Sequence, residues 1–161
     1  MDILGTIIFW VMMIGTSILA WKYVFLDHEL MHIMEHVRQG ATKGGIEFSF
    51  YPLKLIDGVS VPIPTMKCWG DYTANKDKVA LAGGLYSGIQ SLFIGACGWY
   101  SGLLWLEFPF VTLGVLNIVY GIYERLFLGK INFDTYMRWH YVVYGITIAT
   151  MIILYLMREI W

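Results

Sequence analysis

Charge is what this sequence has least of. Only 14% of its 161 residues are Asp, Glu, Lys or Arg, whereas 58% are hydrophobic. A soluble domain is about one quarter charged. A globule of this size cannot cover itself with so little polar surface, so lipid is expected to be its main solvent; mean hydropathy is +0.61. The net charge of −1 excludes the basic footprint of a nucleic-acid-binding protein. Cysteine is scarce too. Cys68 and Cys97 lie far apart, form no metal or redox spacing, and exclude a disulfide framework. No basic n-region or small-residue cleavage site precedes the histidines, so the apolar start reads as a retained span rather than a signal peptide. Internal repeats are missing, and residues 1–161 read as a single polytopic membrane domain.

Four apolar segments are long enough to cross a hydrocarbon core of about 30 Å, which takes roughly 20 helical residues. They are predicted at about 3–39, 79–106, 108–128 and 139–157. The first helix is stopped by Gly40, Gly44 and Gly45. Glu107 and Pro109 mark a very short connection, so the second and third spans are expected to form a tight antiparallel hairpin. Nine of the eleven positive charges fall in the connections after the first and third spans. By the positive-inside bias those connections are cytoplasmic, and both termini face the other side.

The first connection has a pattern of its own. "IEFSFYPL" (46–53) and "VSVPIP" (59–64) alternate or are β-branched, with the turn signal "DG" (57–58) between them. A short, irregular β-hairpin over about 46–64 is expected, limited by Pro52, Pro62 and Pro64 to edge pairing. The second span is rich in small residues, and Ser87, Ser91 and Gly95 share a stripe that permits close helix approach. The fold class is therefore an all-α membrane protein of four transmembrane helices with a cytoplasmic β-hairpin after the first.

What the sequence does contain is "FLDHELMHIMEH" (25–36), with three of the chain's four histidines at intervals of four. His28, Glu29 and His32 spell H-E-x-x-H. On a helix the two histidines project one turn apart from one face and can reach one zinc ion, bound by imidazole at about 2.0–2.1 Å. Glu29 can take a proton from water whose pKa the metal lowers toward about 7. His36 lies about 12 Å along the axis from His28 and cannot close the same site; it and Glu35 read as solvated or supporting positions. A third ligand must come from elsewhere. Glu124, Asp134 and His140 are the candidates on the predicted side, with Asp27 and Asp71 less suited. Glu124 is preferred, because a lone carboxylate at a hydrocarbon boundary is costly unless paired or metal-bound.

Residues 10–128 resemble the site-2 protease family of intramembrane zinc metalloproteases, of which this chain would be a short, divergent member. His28-Glu29-Leu30-Met31-His32 matches the family's first core helix. "ALAGGLYS" (80–87) is similar to its Ala-Gly-Pro motif, with Gly84 where proline is expected. "LNIVYGIYE" (116–124) resembles its Asn…Asp-Gly motif, with Glu124 in place of the aspartate. The resemblance implies zinc as cofactor, Glu29 as general base, substrate contacts at Asn117 and Ser87, and cleavage of a membrane protein's transmembrane segment within the lipid bilayer. The 46–64 strands would hold the unwound segment by edge pairing. Two other readings stay open: a membrane zinc hydrolase acting on a lipid or small molecule, and a non-catalytic adaptor. Histidine-box oxygenases and haem-bridging bundles are excluded by the number and placement of the histidines.

Overall fold

The computed structural model describes residues 3–56 and 59–158. Its elements are α1 (Ile3–Arg38), β1 (Gly44–Ile56), β2 (Val59–Gly70), α2 (Lys76–Tyr100), α3 (Leu104–Phe127) and α4 (Phe133–Arg158). All four helices are long and apolar enough to cross a membrane. The 36 residues of α1 extend about 54 Å at 1.5 Å per residue, well beyond the hydrocarbon thickness. Only the C-terminal half packs. Its buried residues are Ala20, Val24, Asp27, His28, Glu29, His32, Glu35 and His36, a stripe at three- and four-residue spacing. The N-terminal half exposes large apolar side chains such as Ile3, Leu4, Trp10 and Val11.

The predicted stop of α1 at Gly40 holds, with definite chemistry. α1 ends where Gly40 takes a positive φ of 105°. The Ala41 amide then bonds the His36 carbonyl at 3.0 Å and the Gly40 amide bonds Val37 at 2.9 Å, which satisfies the last carbonyls. The same pattern ends α2, but six residues earlier than expected. Gly102 has φ 69°, and the Leu103 amide reaches back to Gly98 at 2.8 Å. The connection is thus Ser101 to Leu103. Glu107 and Pro109, expected to mark it, lie buried inside α3. The expectation failed because a charge and a proline were read as the break, whereas the backbone conformation only glycine adopts freely decides it.

α2 and α3 form the closest interface in the molecule. A Cβ at Gly84 would collide with the Asn117 carbonyl and with the backbone of Gly121, so the two helices cross backbone to backbone. Small residues permit that approach. α4 begins at Phe133, not 139, because the Asn132 side chain accepts the Asp134 amide at 2.8 Å and starts the helix early. Asp134 therefore sits on α4 rather than in a loop. α4 packs only on α3 and β1 among the described elements, through a cluster of Tyr123, Tyr136 and Met137 joined by Tyr51 and Tyr120. Near the other end of α4, Tyr155 donates to the Glu107 carboxylate at 3.1 Å.

The hairpin is present and longer than expected. β1 and β2 pair antiparallel from Gly44↔Gly70 to Ile56↔Val59, with Pro52 opposite Pro62 and an irregularity between Lys54 and Ile56. The predicted Asp57-Gly58 turn lies outside the described residues. The extra length comes from the base, which the exposed Asp71 clasps. Its carboxylate accepts the Thr42 amide at 2.9 Å, the Thr42 hydroxyl at 2.7 Å and the Lys43 amide at 3.1 Å. These bonds, the Thr42 hydroxyl foremost, hold the Asp71 carboxyl below its ordinary value.

A lowered folded-state pKa sets the sign of a pH effect. The contribution of Asp71 is complete above the unfolded value of about 3.9 and is lost as pH falls through the lower folded value. Hydrogen-exchange protection at the Thr42 and Lys43 amides should accordingly fall on acidification into that window. Asp71→Asn should show the loss already at neutral pH. Equal protection in wild type and variant at pH 7 would remove the clasp from the account.

Candidate metal centre

α1 brings His28 and His32 to one buried face, with their Nε2 atoms 3.0 Å apart. α3 brings Glu124, whose Oε2 lies 3.3 Å from His28 Nε2 and 3.4 Å from His32 Nε2. The far side of each ring is already engaged. His28 Nδ1 sits 3.0 Å from the Asn117 side-chain oxygen, and Asn117 Nδ2 donates to the Leu113 carbonyl at 3.1 Å, so the oxygen must face the ring. His32 Nδ1 is 2.6 Å from the Val79 carbonyl of α2. Carbonyl oxygens only accept, so both rings carry their proton on Nδ1 and present a bare Nε2.

Three acceptor atoms therefore face one point with no donor among them. The Glu124 Oε2 is buried without any hydrogen-bond partner, an arrangement costing several kcal/mol unless compensated. Their spacing of 3.0–3.4 Å is close to the edge of a tetrahedron whose corners lie about 2 Å from its centre. Donor set, burial and spacing all suit a metal ion. The outer partners, Asn117 and Val79, do what supporting groups do in metal sites, holding tautomer and ring orientation.

The packing of α2 is part of this construction. A Cβ at Gly83 would run into the His32 imidazole, so glycine there lets the α2 backbone lie against the ring. Glu29 is buried beside the three ligands. One of its carboxylate oxygens, a His32 ring nitrogen and the Cys68 sulfur lie within 4.8 Å of one another, and the Cys68 amide faces the Glu29 carboxylate. Burial first, then the Glu29 and Glu124 charges, push the half-buried Cys68 thiol up to about 12.

Of the alternatives for a third ligand, the structure brings only Glu124 to the histidines. Asp134 accepts a hydrogen bond from the Tyr51 hydroxyl. His140 lies between Tyr120 and Tyr144, at ring-centroid distances of 4.5 and 4.4 Å. Asp71 clasps the hairpin, and Asp27 is buried but outside the ligand group. The roles expected of Asn117 and Ser87 need correction, and of the two readings left open for His36 and Glu35 the solvated one falls. Asn117, expected at the substrate, has both ends of its carboxamide committed to His28 and Leu113. Ser87, expected there too, is fully buried, and its hydroxyl donates to Gly83 of its own helix. His36 is not solvated: it is buried, with Nδ1 2.9 Å from Thr73 Oγ1. Glu35 is buried as well, in a two-pronged pair with Arg38 at 2.7 Å. The burial of His36 reflects the short β2–α2 connection folding back over the end of α1, where Tyr72 and Thr73 meet its ring.

Sequence reading missed Val79, Gly83 and Cys68. A backbone carbonyl has no sequence signature. Gly83 was visible within "ALAGG", and Cys68 was set aside because spacing along the chain was the only criterion applied. Comparison with protein-family models, curated proteins and solved structures gives no match, so the reading of function rests on this geometry.

Removing a supporting partner of a metal ligand typically costs 10- to 100-fold in affinity. Asn117→Ala should weaken metal binding by about that factor, measured by competition with a chromophoric chelator. Glu124→Ala and His32→Ala should each abolish stoichiometric binding, while Asp134→Ala leaves it intact. Metal retained in Glu124→Ala would overturn the assignment.

Proposed function

We propose that this chain is a multi-pass membrane zinc metalloprotease that hydrolyses a peptide bond in or near a transmembrane segment of another membrane protein. The observation that carries the reading is the convergence of His28 Nε2, His32 Nε2 and Glu124 Oε2, with Glu29 beside them. Two imidazoles and one carboxylate are a catalytic zinc donor set that leaves a fourth position open. When bound, zinc would supply Lewis acidity, lowering the pKa of water and polarising a carbonyl. The protein's own groups do the rest. His28, His32 and Glu124 hold the ion, and Asn117 and Val79 hold the rings. Glu29 takes the proton from the attacking water and delivers it to the leaving amine as the C–N bond breaks.

A peptide is favoured over a lipid or small molecule by the hairpin. β2 runs alongside α1 at the site, and each strand of the two-stranded sheet has an outer edge that can take up an extended segment. A transmembrane helix hides its own backbone, so cleavage requires local unwinding, and a strand edge stabilises the unwound form. The membrane part of the reading is supported by four long apolar helices and by the bare apolar surfaces of α1 and α4. The resemblance of residues 10–128 to the site-2 protease family points the same way.

Glu29→Gln should keep the metal and lose turnover of a transmembrane-segment substrate by about 100- to 10,000-fold, the usual weight of a general base. Undiminished turnover would move the chemistry elsewhere; cleavage of lipid esters but of no peptide would replace the protease reading. Sidedness has a separate test. With Cys97 replaced by serine, cysteines at Lys43 and Lys130 should be labelled from the cytoplasm and one at Ser101 from the opposite side. Labelling of all three from one side would undo the four-span topology.

A further inference from the structure

The sulfur of Cys68 is a soft donor next to His32 and Glu29, and the sheet register aims it there. Along β2 the even positions Met66, Cys68 and Gly70 turn inward, while Lys67 and Trp69 are exposed, as the two-residue strand period requires. Gly70 lies against the His36 ring, which a Cβ would strike, and Cys68 lies against His32 and Glu29. Two residues of strand, about 6.7 Å, thus keep step with one four-residue interval of α1, about 6 Å. The match places the thiol within 4.8 Å of a His32 ring nitrogen and a Glu29 carboxylate oxygen, next to the ligand group through the His32 ring they share. The orphaned atom of the neighbouring group points the same way, since the buried Glu124 Oε2 has no hydrogen-bond partner and calls for a positive charge within reach of His32.

Resting on the zinc reading above, we propose that Cys68 is a fourth, displaceable protein ligand to the metal held by His28, His32 and Glu124, and that its coordination holds the enzyme in a closed resting state. Zinc binds thiolate sulfur at about 2.3 Å and readily completes four-coordinate sites with it. As the sulfur–metal bond forms, the S–H bond breaks, Glu29 takes the proton, and one water leaves the fourth position. No oxidant is needed, and a cytoplasmic location keeps the thiol reduced. Closure removes a requirement for hydrolysis, since the thiolate takes the position the attacking water would occupy. Opening is the reverse, with water returning and the thiol recovering its proton. The other cysteine, Cys97, is exposed on α2 and takes no part.

The test uses the full-length protein with Cys97 replaced by serine, loaded with cobalt(II) for optical spectra and with zinc for X-ray absorption. A thiolate-to-cobalt charge-transfer band and one sulfur scatterer at about 2.3 Å are expected, and both should vanish in Cys68→Ser and Cys68→Ala. Turnover should rise in the serine variant by the inverse of the open fraction, about tenfold for a site open one tenth of the time. Because the wild-type spectrum alone is decisive, a variant that fails to fold does not rescue the idea. Stoichiometric metal with only nitrogen and oxygen neighbours would overturn the inference and leave the protease reading standing. Failure to bind zinc or cobalt at all would overturn both.

Discussion

Two imidazole nitrogens and a carboxylate oxygen held within 3.4 Å of one another repel unless a positive charge sits among them. In an apolar interior the repulsion is not relieved by solvent, because the effective dielectric is low and bulk water is excluded. A chain that builds this arrangement has committed itself to a positive charge at that point, and a metal ion is the one proposed. The commitment explains why the outer ring nitrogens are pinned by acceptors: if either ring could turn over, it would present an N–H to the site, and the demand for a metal would weaken. Asn117 and Val79 prevent that from two different helices, so the site is a property of the α1–α2–α3 assembly and not of the His28–His32 turn alone.

The close crossing of α2 and α3 follows from the same need. Val79 must reach His32 from α2, and Asn117 and Glu124 must reach both histidines from α3. Side chains of that length converge only if the backbones nearly touch. Gly83 clears the His32 ring, and Gly84 meets Gly121 with no side chain between them. Small residues in membrane helices are usually explained by helix association alone. Here they also set the depth at which the ligands meet.

The helical spans and the zinc-type motif were legible because both are periodic features of one segment, and periodicity survives without knowledge of tertiary contacts. Glu124 was legible for an energetic reason, the cost of a carboxylate on an apolar span. The limits were equally physical. The end of α2 was placed six residues late because a left-handed glycine decides it, and a charge and a proline nearby were more conspicuous. α4 was begun six residues late because hydropathy reports lipid exposure, whereas its first turn is set by the Asn132 cap and by contact with β1. Asn117 and Cys68 were misjudged or passed over, and His36 left between two readings, for one shared reason. Each acts through a partner at least 36 positions away in the chain or on another element, and such pairings leave no local pattern.

The hairpin and the metal centre are coupled by geometry, through the near-equality of two strand residues and one turn of α1. Because β2 keeps step with α1 across Gly70–His36 and Cys68–His32, a displacement of the strand changes what lies over the ligands. A peptide added to the outer edge of β2 would run about 4.8 Å from it, close enough to share its twist and shift its register on the helix. In the proposed enzyme, the segment that recognises an unwound substrate is therefore the segment that carries the closing thiol. Recognition and opening then need no separate device, since the strand that gains a neighbour is the one whose inward side chain must leave. This placement also gives the unusual length of α1 a role. Its buried second half supplies both histidines and the track along which the hairpin sits, while its first half keeps large apolar side chains exposed.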